Sequence, residues 1–137
     1  MPDTLILIPA YNEADIIGRV VTEVRTLYPQ HDVLVVDDGS LDRTDEAARQ
    51  AGAAVVRHPH NMGYGVAIQT GYKYARTRDY QFLVQLDGDG QHDPAFIPQL
   101  LAPVLAEEVD LALGSRFLAV ESYRPSLPRR LGIAFFR

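Results

Sequence analysis

Hydrophobic and polar positions along this chain follow two rhythms. Short apolar runs stand at 4–8, 33–36, 53–57, 81–86 and 109–113. Unbroken runs of this length are those of strands buried on both faces. Between them, apolar residues recur three or four positions apart. Ile16, Ile17, Val20, Val24 and Leu27 share one helical face; Phe96, Ile97, Leu100, Leu101, Val104 and Leu105 share another. Asn12 is placed to cap the first helix, and Ser40 or Asp42 a short second one running to Gln50 ahead of Gly52. Gly63 and Gly65 lead into a third helix over 66–76, and Asp93 caps a fourth with Pro94 at its first position. Pro98 fits the first turns of that helix, whereas Pro103 is expected to kink or end it. The order β-α-β-α-β-α-β-α-β predicts an α/β fold, a doubly wound, mostly parallel sheet with helices on both faces and right-handed crossovers.

After Gly114 the pattern loosens. Pro125 and Pro128 interrupt it, and 129–137 reads as the start of an amphipathic helix. The expected organisation is an α/β domain over 1–115 and a separate segment over 116–137. Charge marks the same division. Residues 1–115 carry 8 basic and 17 acidic side chains, a net of −9, whereas 116–137 carry five arginines against Glu121, a net of +4. The overall charge of −5 argues against nucleic-acid binding. With 137 residues and 47% hydrophobic content the chain can bury a real core. The absence of cysteine excludes a disulfide scaffold, a thiolate zinc site and a thiol nucleophile, and fits a reducing compartment. No apolar run is long enough for a membrane span, and none has the flanks of a signal peptide.

Three expected strands end in unusual polar sequences. The first ends in Pro9-Ala10-Tyr11-Asn12-Glu13, the second in Asp37-Asp38-Gly39-Ser40, and the fourth in Asp87-Gly88-Asp89-Gly90-Gln91-His92-Asp93. A doubly wound sheet brings such ends to one edge, where ligands bind. One acid after a strand is a turn former; Glu13, Asp37, Asp38, Asp87 and Asp89 converging on one edge point to a cation. Oxygen-only ligands suit Mg²⁺ or Mn²⁺, and Mg²⁺ completes its shell with water and phosphate. A metal–diphosphate is therefore the expected guest, with Gly88 and Gly90 removing side chains where phosphate comes close. His31, His58, His60 and His92 share no metal-ligand spacing and read as loop residues, and Asp93 reads as a cap.

The segments LILIPAYNEADII, VLVVDDGSLDRT, HNMGYGVAIQTGYKYA, LVQLDGDGQHDP and DLALGSRF resemble, in this order, the motifs of family 2 inverting glycosyltransferases of the GT-A fold. The similarity spans residue 4 to about 117 and is nearest to the dolichol-phosphate mannose synthase and polyprenyl-phosphate glycosyltransferase branch. It implies that 1–115 binds a nucleotide sugar, a GDP- or UDP-sugar. Pro9, Ala10, Tyr11 and Glu13 resemble residues that hold the base and ribose, as does Asp38, with Asp37 beside it. Asp87 and Asp89 match the family's Asp-x-Asp, which binds the Mg²⁺ or Mn²⁺ and the diphosphate, and Gln91 matches a glutamine that reaches the metal. Arg116 resembles an arginine near an acceptor phosphate, with Arg130 a second such contact. Asp89 and Arg116 are the implied catalytic residues. Tyr64 stands where family members often carry Lys or Leu, so no donor contact is assigned to it.

The resemblance implies transfer of a sugar, with inversion, to a polyprenyl phosphate, by a cytoplasmic protein at the cytoplasmic face of the membrane. The basic arm would contact that membrane and begin the acceptor-proximal region. Family members continue well past residue 137, so this chain is expected to be a fragment holding the donor half. The alternatives are a soluble hydroxyl acceptor, a noncatalytic nucleotide-sugar-binding module, and a nucleotidyltransferase. The last usually carries a Gly-rich basic loop where this chain has PAYNEADI.

Overall fold

A computed structural model describes residues 3–114. Its first strand, β1 (Thr4–Ala10), is buried along its whole length. It pairs in parallel with β2 (Asp32–Asp37) on one side and with β4 (Phe82–Gln85) on the other; β3 (Ala54–Arg57) adds outside β2. The order is β3-β2-β1-β4, so the sheet grows one way from β1 through β2 and β3, then reverses to place β4. Right-handed crossovers in opposite directions put α1 (Ala14–Leu27) and α2 (Thr44–Gln50) on one face and α3 (Tyr64–Thr77) on the other.

Side-chain alternation along each strand supplies both faces. On the α3 side Leu5, Leu7, Leu34 and Val36 pack with Ala67 and Ala75. Ile17, Val20, Val21 and Val24 are the buried stripe of α1. Val21 belongs to that stripe, while Leu27, expected in it, is exposed. The helix α3 lies so close to β1 that a Cβ on Gly71 would stand 2.3 Å from a Leu7 methyl. It also begins two residues before the expected start, with Gly63 at its N-cap.

Asp93 caps as expected, accepting from the Ala95 N–H at 2.9 Å. Pro94–Phe96 form one 3-10 turn, which leads into α4 (Ile97–Leu105). Pro103 does not end α4, which runs two residues further. Residues 109–113 form no strand: the backbone makes no ladder among the described residues, and Leu111 and Leu113 are 71% and 72% exposed. A strand exists only through a partner, and the apolar run alone does not supply one. The chain divides into two compact units, Met1–Pro98 and Gln99–Arg137. Among the described residues no helix is long and apolar enough to cross a membrane.

Candidate functional site

The loops after β1 and β2 are bonded to each other. The Asn12 N–H donates to Ser40 Oγ at 2.8 Å, and Asn12 Oδ1 accepts from the Leu41 N–H at 2.8 Å. The Glu13 N–H donates to Thr44 Oγ1 at 2.9 Å, and the Ala14 N–H to Asp42 Oδ2 at 3.2 Å. Asn12, expected to cap α1, instead adopts a left-handed backbone, φ 52°, and Glu13 holds the N-cap position. Neither Ser40 nor Asp42 is the N-cap of α2; that place falls to Arg43. Asp42 nonetheless accepts from the Thr44 N–H at 3.0 Å. The first N–H groups of α1 are thus met from the neighbouring loop, and the Glu13 carboxylate makes no cap bond.

The two aspartates ending β2 divide their work. Asp37 is fully buried and accepts from the N–H and hydroxyl of Ser40, while Arg57 Nε stands 3.8 Å from its other oxygen. It does not line the cavity described below. Asp38 accepts from the Met62 and Gly63 N–H groups, both at 2.9 Å, and pairs with His58 Nδ1 at 2.8 Å. Burial raises its pKa, but the His58 and backbone bonds outweigh burial and leave the carboxyl below its ordinary value. His58, in sequence a loop residue, is buried and fastens 58–63 beside the strand ends.

At the end of β4, Asp87 Oδ1 accepts from the Tyr64 hydroxyl at 3.0 Å. The Asp87 N–H donates to His92 Nδ1 at 3.1 Å, which leaves the ring proton on Nε2, 3.6 Å from Asp87 Oδ2. Asp89 Oδ1 accepts from the Gln91 N–H at 2.9 Å. Gln91 itself is exposed and does not line the cavity. Between the aspartates, a Cβ on Gly88 would fall 2.3 Å from Glu13 Oε2, so any other residue would have to displace that carboxylate.

Pro9, Ala10, Tyr11, Glu13, Asp38, Asp87 and Asp89 line one cavity of about 320 Å³ with Asn61, Gly63, Tyr64, Ala67 and Gly88. It sits at the C-terminal ends of β1 and β4, where strand order reverses. Two larger hollows, of about 490 and 420 Å³, each carry a single acid and lie away from these strand ends. Glu13 is the outlier of the cavity. Its Oε2 is shielded from water and meets no donor among the described residues. Burial, then the charges of Asp89, Asp87 and Asp42, push its pKa up to about 7. Among the described residues no three His, Asp or Glu side chains are grouped closely enough to chelate an ion by themselves. Arg116, Arg130 and the rest of the basic arm lie outside the described residues. Asn61 and Tyr64 are cavity residues that sequence reasoning misses. Only their place next to Gly63 could have signalled them.

The family model described as glycosyl transferase family 2 matches residues 5–133. The chain belongs to this family. Family 2 relatives include the polyprenol monophosphomannose synthase of Mycolicibacterium smegmatis, 37% identical over 93% of this chain and 50% of that protein. The undecaprenyl-phosphate mannosyltransferase of Micrococcus luteus is 37% identical over 82% of this chain and 47% of its own length. The chain spans about half the length of the curated relatives it matches. Among solved structures, glucosyl-3-phosphoglycerate synthase from Mycobacterium tuberculosis, in complex with Mn²⁺, UDP-glucose and phosphoglyceric acid, superposes with a TM-score of 0.63. It is 30% identical over 77% of this chain and 40% of that one. The same enzyme has been solved with Mg²⁺ and UDP. The α/β fold expected from sequence is that of these glycosyltransferases.

Proposed function

We propose that this chain holds the donor site of an inverting glycosyltransferase that moves a sugar from a nucleoside diphosphate to a polyprenyl phosphate, using Mg²⁺ or Mn²⁺ held at Asp87 and Asp89. Glu13 carries the proposal: a shielded carboxylate oxygen without a donor among the described residues, in one cavity with three further carboxylates, Asp38, Asp87 and Asp89. Such a donor set is all oxygen and anionic, which fits a hard divalent cation. Mg²⁺ takes one or two protein carboxylates and fills its shell with water and phosphate.

When bound, the cation neutralises charge on the departing nucleoside diphosphate. The chain's residues do the rest. Pro9, Ala10 and Tyr11 form the wall for base and ribose, with Asp38 holding 62–63 in place behind it. Gly88 gives the diphosphate and Glu13 room to approach each other. Glu13, whose pKa of about 7 leaves it partly protonated in neutral solution, becomes fully anionic beside positive charge. Arg116 and Arg130 are assigned to the acceptor phosphate. A phosphate is already an anion and needs positioning rather than deprotonation before it displaces the diphosphate from the opposite face. The curated relatives named for polyprenyl phosphates support that acceptor. In this reading the reaction runs at the cytoplasmic face of a membrane.

Thermal denaturation of the chain with UDP and GDP, each with Mn²⁺ or EDTA, tests the donor site. One nucleotide with Mn²⁺, at a hundred times its dissociation constant, should stabilise the fold by about 2.7 kcal/mol. Equal stabilisation in EDTA would sink the proposal.

A further inference from the structure

Gln85 is a polar residue on an apolar face. It pairs with Leu7 in the β1–β4 register, so its side chain lies on the α3 side of the sheet, with Leu5, Leu7, Leu34 and Val36. Gln85 is half-buried there. Both its ends are met. Tyr72 Oη stands 3.4 Å from Gln85 Oε1, Gln85 Nε2 stands 2.7 Å from Tyr64 Oη, and Tyr64 Oη stands 3.0 Å from Asp87 Oδ1.

Proton bookkeeping fixes the direction of every bond. A carboxylate only accepts, so the single hydroxyl proton of Tyr64 points at Asp87. The Tyr64 lone pairs then face Gln85, which must present its NH₂ there and its carbonyl to Tyr72. Chains of hydrogen bonds running in one sense strengthen one another. Among the described residues Asp89, by contrast, is held only by its own loop, through the Gln91 N–H.

We propose that Tyr72, Gln85 and Tyr64 form a relay that orients the Asp87 carboxylate for the metal–diphosphate, with Tyr64 the positioning residue in contact with Asp87. The inference rests on the proposed function, adds Tyr72 and Gln85, which belong neither to the Asp-x-Asp motif nor to the cavity wall, and gives the wall residue Tyr64 a task. Loss of an outer partner of a metal-ligating carboxylate typically costs roughly 10- to 100-fold in metal affinity.

The test is Mn²⁺ titration of the 137-residue chain, followed by the EPR signal of free Mn²⁺, with saturating UDP and, separately, GDP. Tyr64→Phe removes one oxygen from a residue 57% exposed. It should weaken Mn²⁺ binding roughly 10- to 100-fold with an unchanged melting temperature. Gln85→Leu should weaken it in the same direction while the melting temperature holds or rises, because a polar group leaves an apolar face. A merely structural Gln85 would do the reverse, lowering the melting temperature without moving the Mn²⁺ dissociation constant. A wild-type dissociation constant in either variant overturns the relay and leaves the donor site standing. No Mn²⁺ binding by the wild-type chain with either nucleotide overturns both.

Discussion

A carboxylate oxygen shut away from water with no donor beside it among the described residues, as Glu13 Oε2 is, makes the cavity sensitive to pH. Glu13 is raised from 4.5 to about 7, by burial and then by its acidic neighbours. The folded chain therefore holds more protons at this group than the unfolded chain between those values, and stability falls as pH rises through that window. Without metal, Glu13→Gln should remove this part of the pH dependence and be the more stable protein above pH 7. Urea melts at pH 5 and pH 8 measure the difference, and a variant with the wild-type slope would mean that Glu13 does not carry it. The motif PAYNE is legible in sequence and places Glu13 at the strand edge. Its isolation is not legible there, because the groups that cap α1 in its stead, Thr44 Oγ1 and Asp42 Oδ2, come from the next loop. His58 is hidden for the same reason: its partner Asp38 lies twenty residues away, and only the fold joins them.

Among the elements, α3 is the one fitted most tightly to the sheet. At Gly71 a Cβ would meet three Leu7 side-chain carbons within 2.9 Å. Gly71→Ala gains helix propensity of about 1 kcal/mol but must push apart a packed core, which typically costs about 1–3 kcal/mol. The expected outcome is a lower urea midpoint with an unchanged m-value. A higher midpoint would show that Leu7 yields by changing rotamer. Strands β1 to β4 and all four helices were readable from apolar runs and helical spacing, because those patterns report burial directly. The run at 109–113 has the same pattern without the pairing, since composition records what a segment could bury and not whether a neighbour offers an edge. Pro103 does not stop its helix. So near the end of α4 it removes a single N–H donor, and the helix continues to Leu105.

At the scale of the molecule, the reversal of strand order between β1 and β4 decides where the chemistry sits, and the alternation of elements is enough to foresee such an edge. Three acidic strand ends were therefore legible as one site. Asp37 was not separable from Asp38 by sequence, and only the bonds to Ser40 turn it inward. The bonds between the loops after β1 and β2 have a consequence for inheritance. Asn12 reaches Ser40 and Leu41, while Thr44 and Asp42 reach back to Glu13 and Ala14. The loops after β1 and β2, which bring Tyr11, Glu13 and Asp38 to the cavity wall, are in effect one part made from two pieces of chain. A chimera that takes residues 9–14 from a relative but keeps 37–44 should lose several of these bonds, each contributing about 1 kcal/mol, and melt lower than either parent. Exchanging both segments together should restore the parental melting temperature. Base preference, wherever these walls set it, would then pass between family members only as a pair of loops and never as one.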